Sequence, residues 1–264
     1  MRLEGKVAIV VGAGQTPGET IGNGRATALL YARQGARVLV VDRRLDSVEE
    51  TRAMIADEGG AAVALEADAT REEDCKRMSE RCVEAFGQID ILQNNVGIGH
   101  GDGSVIRLDE KDWDHIFDVN LKTVFLACKH VLPVMRSQKG GAIVNISSVA
   151  AIAAMPLVAY KTSKAAVNAL TQQMAIANAR HGIRVNCIMP GLMNTPMAIE
   201  SISKAAGIPK EKLIAARDAQ VPLRAKMGSA WDVAYASLYL ASDEAGFVTG
   251  AVLPVDGGQS VKVG

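Results

Sequence analysis

The stretch Lys6-Val-Ala-Ile-Val-Val-Gly12-Ala-Gly14 opens with a short, unbroken apolar run and ends in glycines. A run that is apolar at every position, rather than at alternate ones, is what a strand buried on both faces of a parallel sheet requires. Beyond it, Gly22-Asn-Gly24 precedes Arg25 to Gln34, where Ala26, Leu29, Leu30 and Ala32 fall on a helical spacing. A glycine-rich loop therefore joins the strand to a helix that begins near Gly22. Glycines at such a junction let the backbone approach a pyrophosphate, whose charge is stabilised by exposed amides and by the positive end of the helix. A flexible turn has the same composition, so the following elements decide.

Ala36-Arg-Val-Leu-Val-Val-Asp42 is a second apolar strand with an acid at its end. A dinucleotide fold places there the carboxylate that accepts from adenosine ribose hydroxyls. A 2′-phosphate would meet Asp42 at close range and be repelled, which favours NAD over NADP. Arg43 and Arg44 pull the other way, since guanidinium groups pair with phosphate, although two arginines opening a solvated helix explain them equally simply.

The alternation then repeats. Ser47 to Asp57 reads as an exposed helix, Ala61 to Asp68 as a strand with Asp68 at its end, and Arg71 to Phe86 as an amphipathic helix. Ile89-Asp-Ile-Leu-Gln-Asn-Asn-Val-Gly97 runs as a strand into a loop of small residues. Asp109 to Met135 reads as one helix, Ile183 to Met189 as a strand turned away by Pro190-Gly191, Trp231 to Leu240 as a helix and Ala251 to Asp256 as a last strand. Strands alternating with helices imply one doubly wound α/β domain of the Rossmann type over residues 1–264, with ligands at the carboxyl ends of the strands. Leu192 to Met227 is mixed and irregular in composition and reads as a substrate lid.

Within this frame the stretch Asn145-Ile-Ser-Ser-Val to Tyr160-Lys-Thr-Ser-Lys164 reads as a reaction centre. The strand Ala142 to Ile146 delivers Ser147 and Ser148 to the sheet edge. Tyr160 and Lys164 stand four apart at the head of an alanine-rich helix and project from one face. A free phenol has a pKa of about 10, too high for a base at neutral pH, and a nearby ammonium favours the phenolate. Lys164 would so make Tyr160 an acid and base. A serine hydroxyl beside it can hold an alcohol or carbonyl oxygen where charge develops, with Ser148 the first choice and Ser147 the second. Asn120 stands mid-helix, where asparagine has poor propensity; its side chain is either locally bonded or placed to orient water. Trp113 and Phe117 read as packing, and His100 as a solvated loop residue.

Composition excludes other classes. The chain has 264 residues, 48% of them hydrophobic, enough for one substantial core. Lys plus Arg number 29 and Asp plus Glu 29, a formal charge of zero with no basic run, which argues against a nucleic-acid partner. Met1-Arg-Leu-Glu-Gly-Lys6 puts charges where a signal peptide needs an apolar core, and no stretch approaches the roughly 18 apolar residues of a membrane span, so a soluble cytoplasmic protein is expected. Cys75, Cys82, Cys128 and Cys187 form no CxxC pair and no cluster with histidine, which predicts reduced thiols and no structural metal.

Taken together, Gly12…Gly22-x-Gly24, Asp68, Asn94-Asn95-Val-Gly97, Asn120, Ser148, Tyr160-x-x-x-Lys164 and Pro190-Gly191 resemble the short-chain dehydrogenase/reductase family over nearly the whole chain. Tyr-x-x-x-Lys alone is common; these elements in this order are a strong joint signal. The resemblance implies a catalytic tetrad: Tyr160 exchanges the proton, Ser148 holds the substrate oxygen, Lys164 lowers the tyrosine pKa and binds the nicotinamide ribose, and Asn120 supports a relay water. It further implies cofactor contacts at Gly12, Gly22 and Gly24, at Asp42 for the ribose, at Asp68 with Ala69 for the adenine, and at Asn95, Pro190, Gly191 and Thr195, the last for the carboxamide. It implies a homotetramer built on the helices at Asp112 to Met135 and Tyr160 to Arg180, and a small alcohol or ketone as substrate. An NADP-dependent 3-oxoacyl reductase and a noncatalytic nucleotide-binding protein are the alternatives; enoyl reductases of similar fold usually separate their Tyr and Lys more widely.

Two departures stand out. The family usually has three residues between its first two glycines, whereas nine separate Gly12 from Gly22, so Gln15 to Ile21 reads either as an insertion lying over the pyrophosphate or as a passive surface loop. A parse through Gly14 and Gly18 would place two glycines inside a helix at about 1 kcal/mol each. The interval from Ser148 to Tyr160 is one residue shorter than the commonest family spacing, which keeps Ser147 open.

Overall fold

A computed structural model of the chain describes residues 1–153 and 155–262. The elements run β1 (Val7–Val11), α1 (Asn23–Arg33), β2 (Arg37–Asp42), α2 (Leu45–Asp57), β3 (Ala62–Glu66), α3 (Glu72–Phe86), β4 (Ile91–Asn94), α4 (Glu110–Phe117), α5 (Thr123–Gln138) and β5 (Gly141–Ile146). They continue with α6 (Val158–Asn178), β6 (Ile183–Pro190), α7 (Ile202–Ala206), α8 (Lys210–Asp218), α9 (Ala230–Ala241) and β7 (Val252–Val255).

The sheet has seven strands in the order β3-β2-β1-β4-β5-β6-β7, and each pairing is parallel. Every residue of β1 is buried, and the reason is its place near the middle of the order. Ala8 and Val10 point into the core formed with α1 and α9, while Val7, Ile9 and Val11 point into the opposite core formed with α3, α5 and α6. Both faces are covered, so no position of the strand needs to be polar. Pro254, which cannot donate to a ladder, lies in the terminal strand β7, where one side has no neighbour. The chain order reverses between β1 and β4, and the two strands diverge there into their loops, opening the crevice in which α/β folds take ligands.

Two regions differ from the pattern reading. Asp109 to Met135 is not one uniform helix: α4 and α5 are joined through a π turn at Asp118–Lys122, and α5 runs on to Gln138. The segment Leu192 to Met227 is largely helical, with a π turn at Met197–Ser201 followed by α7 and α8. These helices are short and their apolar residues irregularly spaced, because they rest on a small satellite core of Ile199, Val221 and Met227 rather than on the sheet. Among the described residues no helix is long and apolar enough to cross a membrane.

Candidate active site

Every strand that carries a singled-out residue ends at the same rim. Gly12 leaves β1 at φ 79°. Gly24, in the first turn of α1, comes so close that a Cβ there would lie 1.9 Å from the Gly12 carbonyl oxygen and 2.8 Å from Asn95 Nδ2. No side chain larger than hydrogen fits there, and α1 begins at Asn23 rather than at Gly14 or Gly18. The N-terminus of α1 has no acidic residue in its first turn and no side-chain cap at Gly22. Its positive end is therefore open to an anion. Asn23 Oδ1 is enclosed there with no hydrogen-bond donor among the described residues, the kind of vacancy in bonding that a ligand hydroxyl satisfies.

The loop is held by a network that motif reading did not single out. Asp42 Oδ2 accepts from Gly14 N at 3.1 Å, Ser47 Oγ accepts from Gln15 N at 2.9 Å, and Thr51 Oγ1 donates to the Ala13 carbonyl at 2.8 Å. Arg25, only 3% exposed, spans Thr51 Oγ1 at 2.9 Å and Glu50 at 2.6 Å. Arg44 donates to the Gln15 carbonyl, so its guanidinium is engaged by the protein, whereas Arg43 is exposed. Asn95 Nδ2 donates to the Gly12 carbonyl at 3.3 Å, tying the β1 and β4 loops together. Asp68 Oδ1 accepts from the Thr70 amide and hydroxyl at 2.9 and 2.7 Å, beside the buried Ala69. The glycine cradle, open helix end, ribose-level carboxylate and orphaned amide oxygen fit a dinucleotide along this rim.

Across the crevice lies the Ser, Tyr and Lys group. Asn120 sits in the π turn, and its side chain accepts from Ile98 N at 2.7 Å and donates to Ile98 O at 2.9 Å and Ser163 Oγ at 3.0 Å. A completely buried asparagine in mid-helix is explained by this pairing: it fixes the loop after β4 against α6, and the π turn sits at the functional rim as such turns often do. That loop passes so near Lys164 that a Cβ on Gly97 would stand 2.8 Å from Nζ. Ser147 Oγ donates to the Lys164 carbonyl at 2.8 Å and is buried. Ser148 Oγ accepts from Ala150 N at 3.1 Å and lies beside the Tyr160 hydroxyl.

The electrostatics of Tyr160 involve groups beyond those of the Tyr-x-x-x-Lys motif. Burial raises its pKa, and the Ser148 hydroxyl and the charge of Arg217 lower it. Lys164 Nζ lies 5.9 Å from the centre of the Tyr160 ring and donates instead to the Ile146 carbonyl at 3.0 Å. Burial pushes the lysine down to about 8, with Cys187 opposing. Among the influences on the phenol, the charge of Arg217 of α8 is one that spacing could not reveal.

Asp102 is a second residue that sequence reasoning missed. Its carboxylate accepts from Ala159 N at 3.1 Å and Tyr160 N at 2.6 Å, capping α6 from a distant loop and fixing the backbone of the tyrosine. The only local signal is an acid between two glycines, Gly101 and Gly103. Pro190 ends β6, the Gly191 amide donates to the Val255 carbonyl at 3.0 Å, and Thr195 is buried near the start of the segment Leu192 to Met227. Trp113 and Phe117 stack with centroids 4.5 Å apart, and His100 is exposed. All four cysteines are buried free thiols pushed up to about 12 by burial. Among the described residues no three His, Cys, Asp or Glu side chains gather as metal ligands would.

A family model described as Enoyl-(Acyl carrier protein) reductase matches residues 19–260. The 3-oxoacyl-[acyl-carrier-protein] reductase FabG of Thermotoga maritima is 38% identical over 263 residues, covering 98% of this chain and 99% of the relative. A crystal structure from Burkholderia xenovorans assigned to the short-chain dehydrogenases/reductases is 42% identical with a TM-score of 0.94, over 100% of this chain and 99% of that one. Carveol dehydrogenase from Mycobacterium avium, solved in complex with NAD, is 29% identical with a TM-score of 0.90, over 99% of both chains.

Proposed function

The chain belongs to the short-chain dehydrogenase/reductase family, NAD(P)-dependent oxidoreductases of hydroxyl and ketone groups, and from that premise we propose that it interconverts a secondary alcohol and a ketone with NAD(H), using Tyr160 as acid and base. Bound nicotinamide supplies or accepts the hydride. Tyr160 moves the proton at its phenolic oxygen: it takes one from the alcohol during oxidation and gives one to the ketone oxygen during reduction. Ser148, beside that hydroxyl, holds the substrate oxygen where negative charge develops. Lys164, an ammonium below about pH 8, adds positive charge at the base of the site, and Asn120 keeps the loop over it in place. The observation that carries this reading is the meeting of Tyr160 and Ser148, from different elements, on the rim that also bears the glycine cradle and Asp42. The four-residue interval from Tyr160 to Lys164 supports carbonyl rather than enoyl chemistry.

Tyr160→Phe keeps the ring and removes the exchangeable proton, so turnover should fall by about two to four orders of magnitude while NAD affinity measured by calorimetry stays near wild type. Substantial residual turnover sinks the assignment. NAD is favoured because Asp42 stands at the end of β2 and Arg44 is engaged by the Gln15 carbonyl. The rival is NADP-dependent reduction of 3-oxoacyl thioesters, supported by the exposed Arg43. Asp42→Ala should narrow the ratio of kcat/KM for NAD over NADP, and a wild-type enzyme that prefers NADP refutes the cofactor reading.

A further inference from the structure

Helix α6, which carries Tyr160 in its first turn, starts without a cap of its own. Leu157 stands at the capping position, where its side chain offers no acceptor. The first amides of a helix have no partner within it and need acceptors from outside. Here three of them are served by the loop after β4, distant in the chain. Val158 N donates to the Gly103 carbonyl at 3.2 Å, Ala159 N to Asp102 Oδ1 at 3.1 Å and Tyr160 N to Asp102 Oδ2 at 2.6 Å. Gly103 N donates to Oδ1 at 2.7 Å and steadies the carboxylate, whose charge suits the positive end of the helix.

The loop that brings this cap is itself braced. Asn95 Nδ2 donates to the Gly12 carbonyl at 3.3 Å, and Asn120 pairs with both backbone groups of Ile98. One residue on, a Cβ on Gly99 would stand 3.4 Å from Tyr160 Cδ2, so the loop backbone lies against the ring. The Tyr160 carbonyl accepts from Ser163 Oγ at 2.9 Å, and Ser163 Oγ accepts from Asn120 Nδ2 at 3.0 Å. The amide, the carbonyl and the ring of this one residue are thus each held by a group that is no part of the helical ladder. A cap that served the helix alone would need only the amides; the ring contact adds control of where the side chain stands.

We propose that Asp102 is a positioning residue of the reaction: its two carboxylate oxygens fix the first turn of α6 on the loop after β4 and so keep the Tyr160 phenol where it exchanges a proton. The inference rests on the reading of Tyr160 as acid and base. A carboxylate suits the task because both of its oxygens accept, one for each of two successive amides. An asparagine there would turn an amide donor towards an N–H and free the first turn on that side. Reaction falls steeply with displacement, a shift of about 1 Å costing on the order of a hundredfold.

Tyr160 can be followed without a substrate. The chain has four tyrosines, and isotope-labelled tyrosine observed at Cζ by carbon NMR distinguishes Tyr160 as the resonance lost in Tyr160→Phe. In Asp102→Asn that resonance should move or broaden while those of Tyr31, Tyr235 and Tyr239 stay, with the thermal midpoint lower by only a few degrees. Oxidation of 2-butanol, cyclohexanol or 3-hydroxybutanoate with NAD or NADP, whichever pair wild type turns over, should lose roughly ten- to a hundredfold in kcat. NADH affinity by fluorescence should hold. Asp102→Glu keeps both acceptors and should recover part of the rate, and adding Asp102→Asn to Tyr160→Phe should cost little more, since the phenol it positions is gone. An unmoved Tyr160 resonance, an unchanged kcat, or an equal further loss in the Tyr160→Phe background overturns the inference and leaves the oxidoreductase reading standing. A displaced resonance in a protein that oxidises none of these alcohols and reduces none of their ketones retains the hold of Asp102 on the tyrosine and sinks the redox reading.

Discussion

Tyr160 carries opposing influences on one proton. Enclosure disfavours the phenolate, while the Ser148 hydroxyl and the Arg217 charge favour it. Removing a group that lowers a pKa raises it, so Ser148→Ala should move the phenol further up. Alcohol oxidation needs the phenolate and gains rate as pH rises through that pKa; ketone reduction needs the phenol and loses rate there. Both limbs should therefore shift to higher pH in Ser148→Ala when kcat/KM is followed across pH. Loss of the hold on the substrate oxygen should in addition lower kcat by about 10²–10³. Limbs that stay in place would remove Ser148 from contact with the phenol.

The element that distinguishes this chain is the long connection between β1 and α1. Gln15 closes its base: Oε1 accepts from Gly22 N at 2.9 Å, and the segment between is exposed. Its tip lies against the segment Leu192 to Met227. A Cβ on Gly18 would be 2.7 Å from Glu200 Cγ and 2.9 Å from Pro196 Cβ, and Glu19 shares Lys210 with Glu200 at 3.3 Å. The β1–α1 connection thus meets the segment Leu192 to Met227 at Pro196, Glu200 and Lys210. Replacing Gln15 to Ile21 by a short linker between Gly12 and Gly22 should weaken NAD affinity in a protein whose thermal midpoint remains cooperative. Unchanged affinity by calorimetry would make the segment a passive loop. Asp102 illustrates the same reach between elements, since a loop acid far from α6 caps it and sets the tyrosine.

At the scale of the molecule, the sheet leaves two helical faces with apolar residues in water. Phe125 on α5 is 50% exposed and Ile176 on α6 is 74% exposed. The alanine-rich surface of α6 permits close packing of a second copy against these helices. Tyr235 and Tyr239 of α9 are exposed, as is Phe247, and a tetramer with dihedral symmetry needs a second surface. Light scattering at micromolar concentration should give the mass of a homotetramer, and Phe125→Asp with Ile176→Asp should lower it. A monomeric wild-type mass contradicts the assembly.

The sequence by itself determined the order of strands and helices, the doubly wound class and the rim on which the site residues stand. Burial on two faces writes itself into β1 as Val7 to Val11 without a polar position, and a helix approaching a strand within contact of Gly12 leaves only hydrogen at Gly24. Such constraints act within a few residues and so appear as local pattern. Tyr160 and Lys164 were legible for the same reason, being one helical turn apart. Tertiary structure alone decided which serine faces the phenol, because the choice depends on the carbonyl of Lys164 receiving Ser147. It alone decided that Asn120 braces Ile98, that Asp102 caps α6 and that the Arg217 charge favours the Tyr160 phenolate. Each of these pairs joins residues distant in the chain, and α7 and α8 rest on a core too small to impose a period. Polar partnership is set by where the backbone ends meet in space, and no spacing along one strand or helix encodes it.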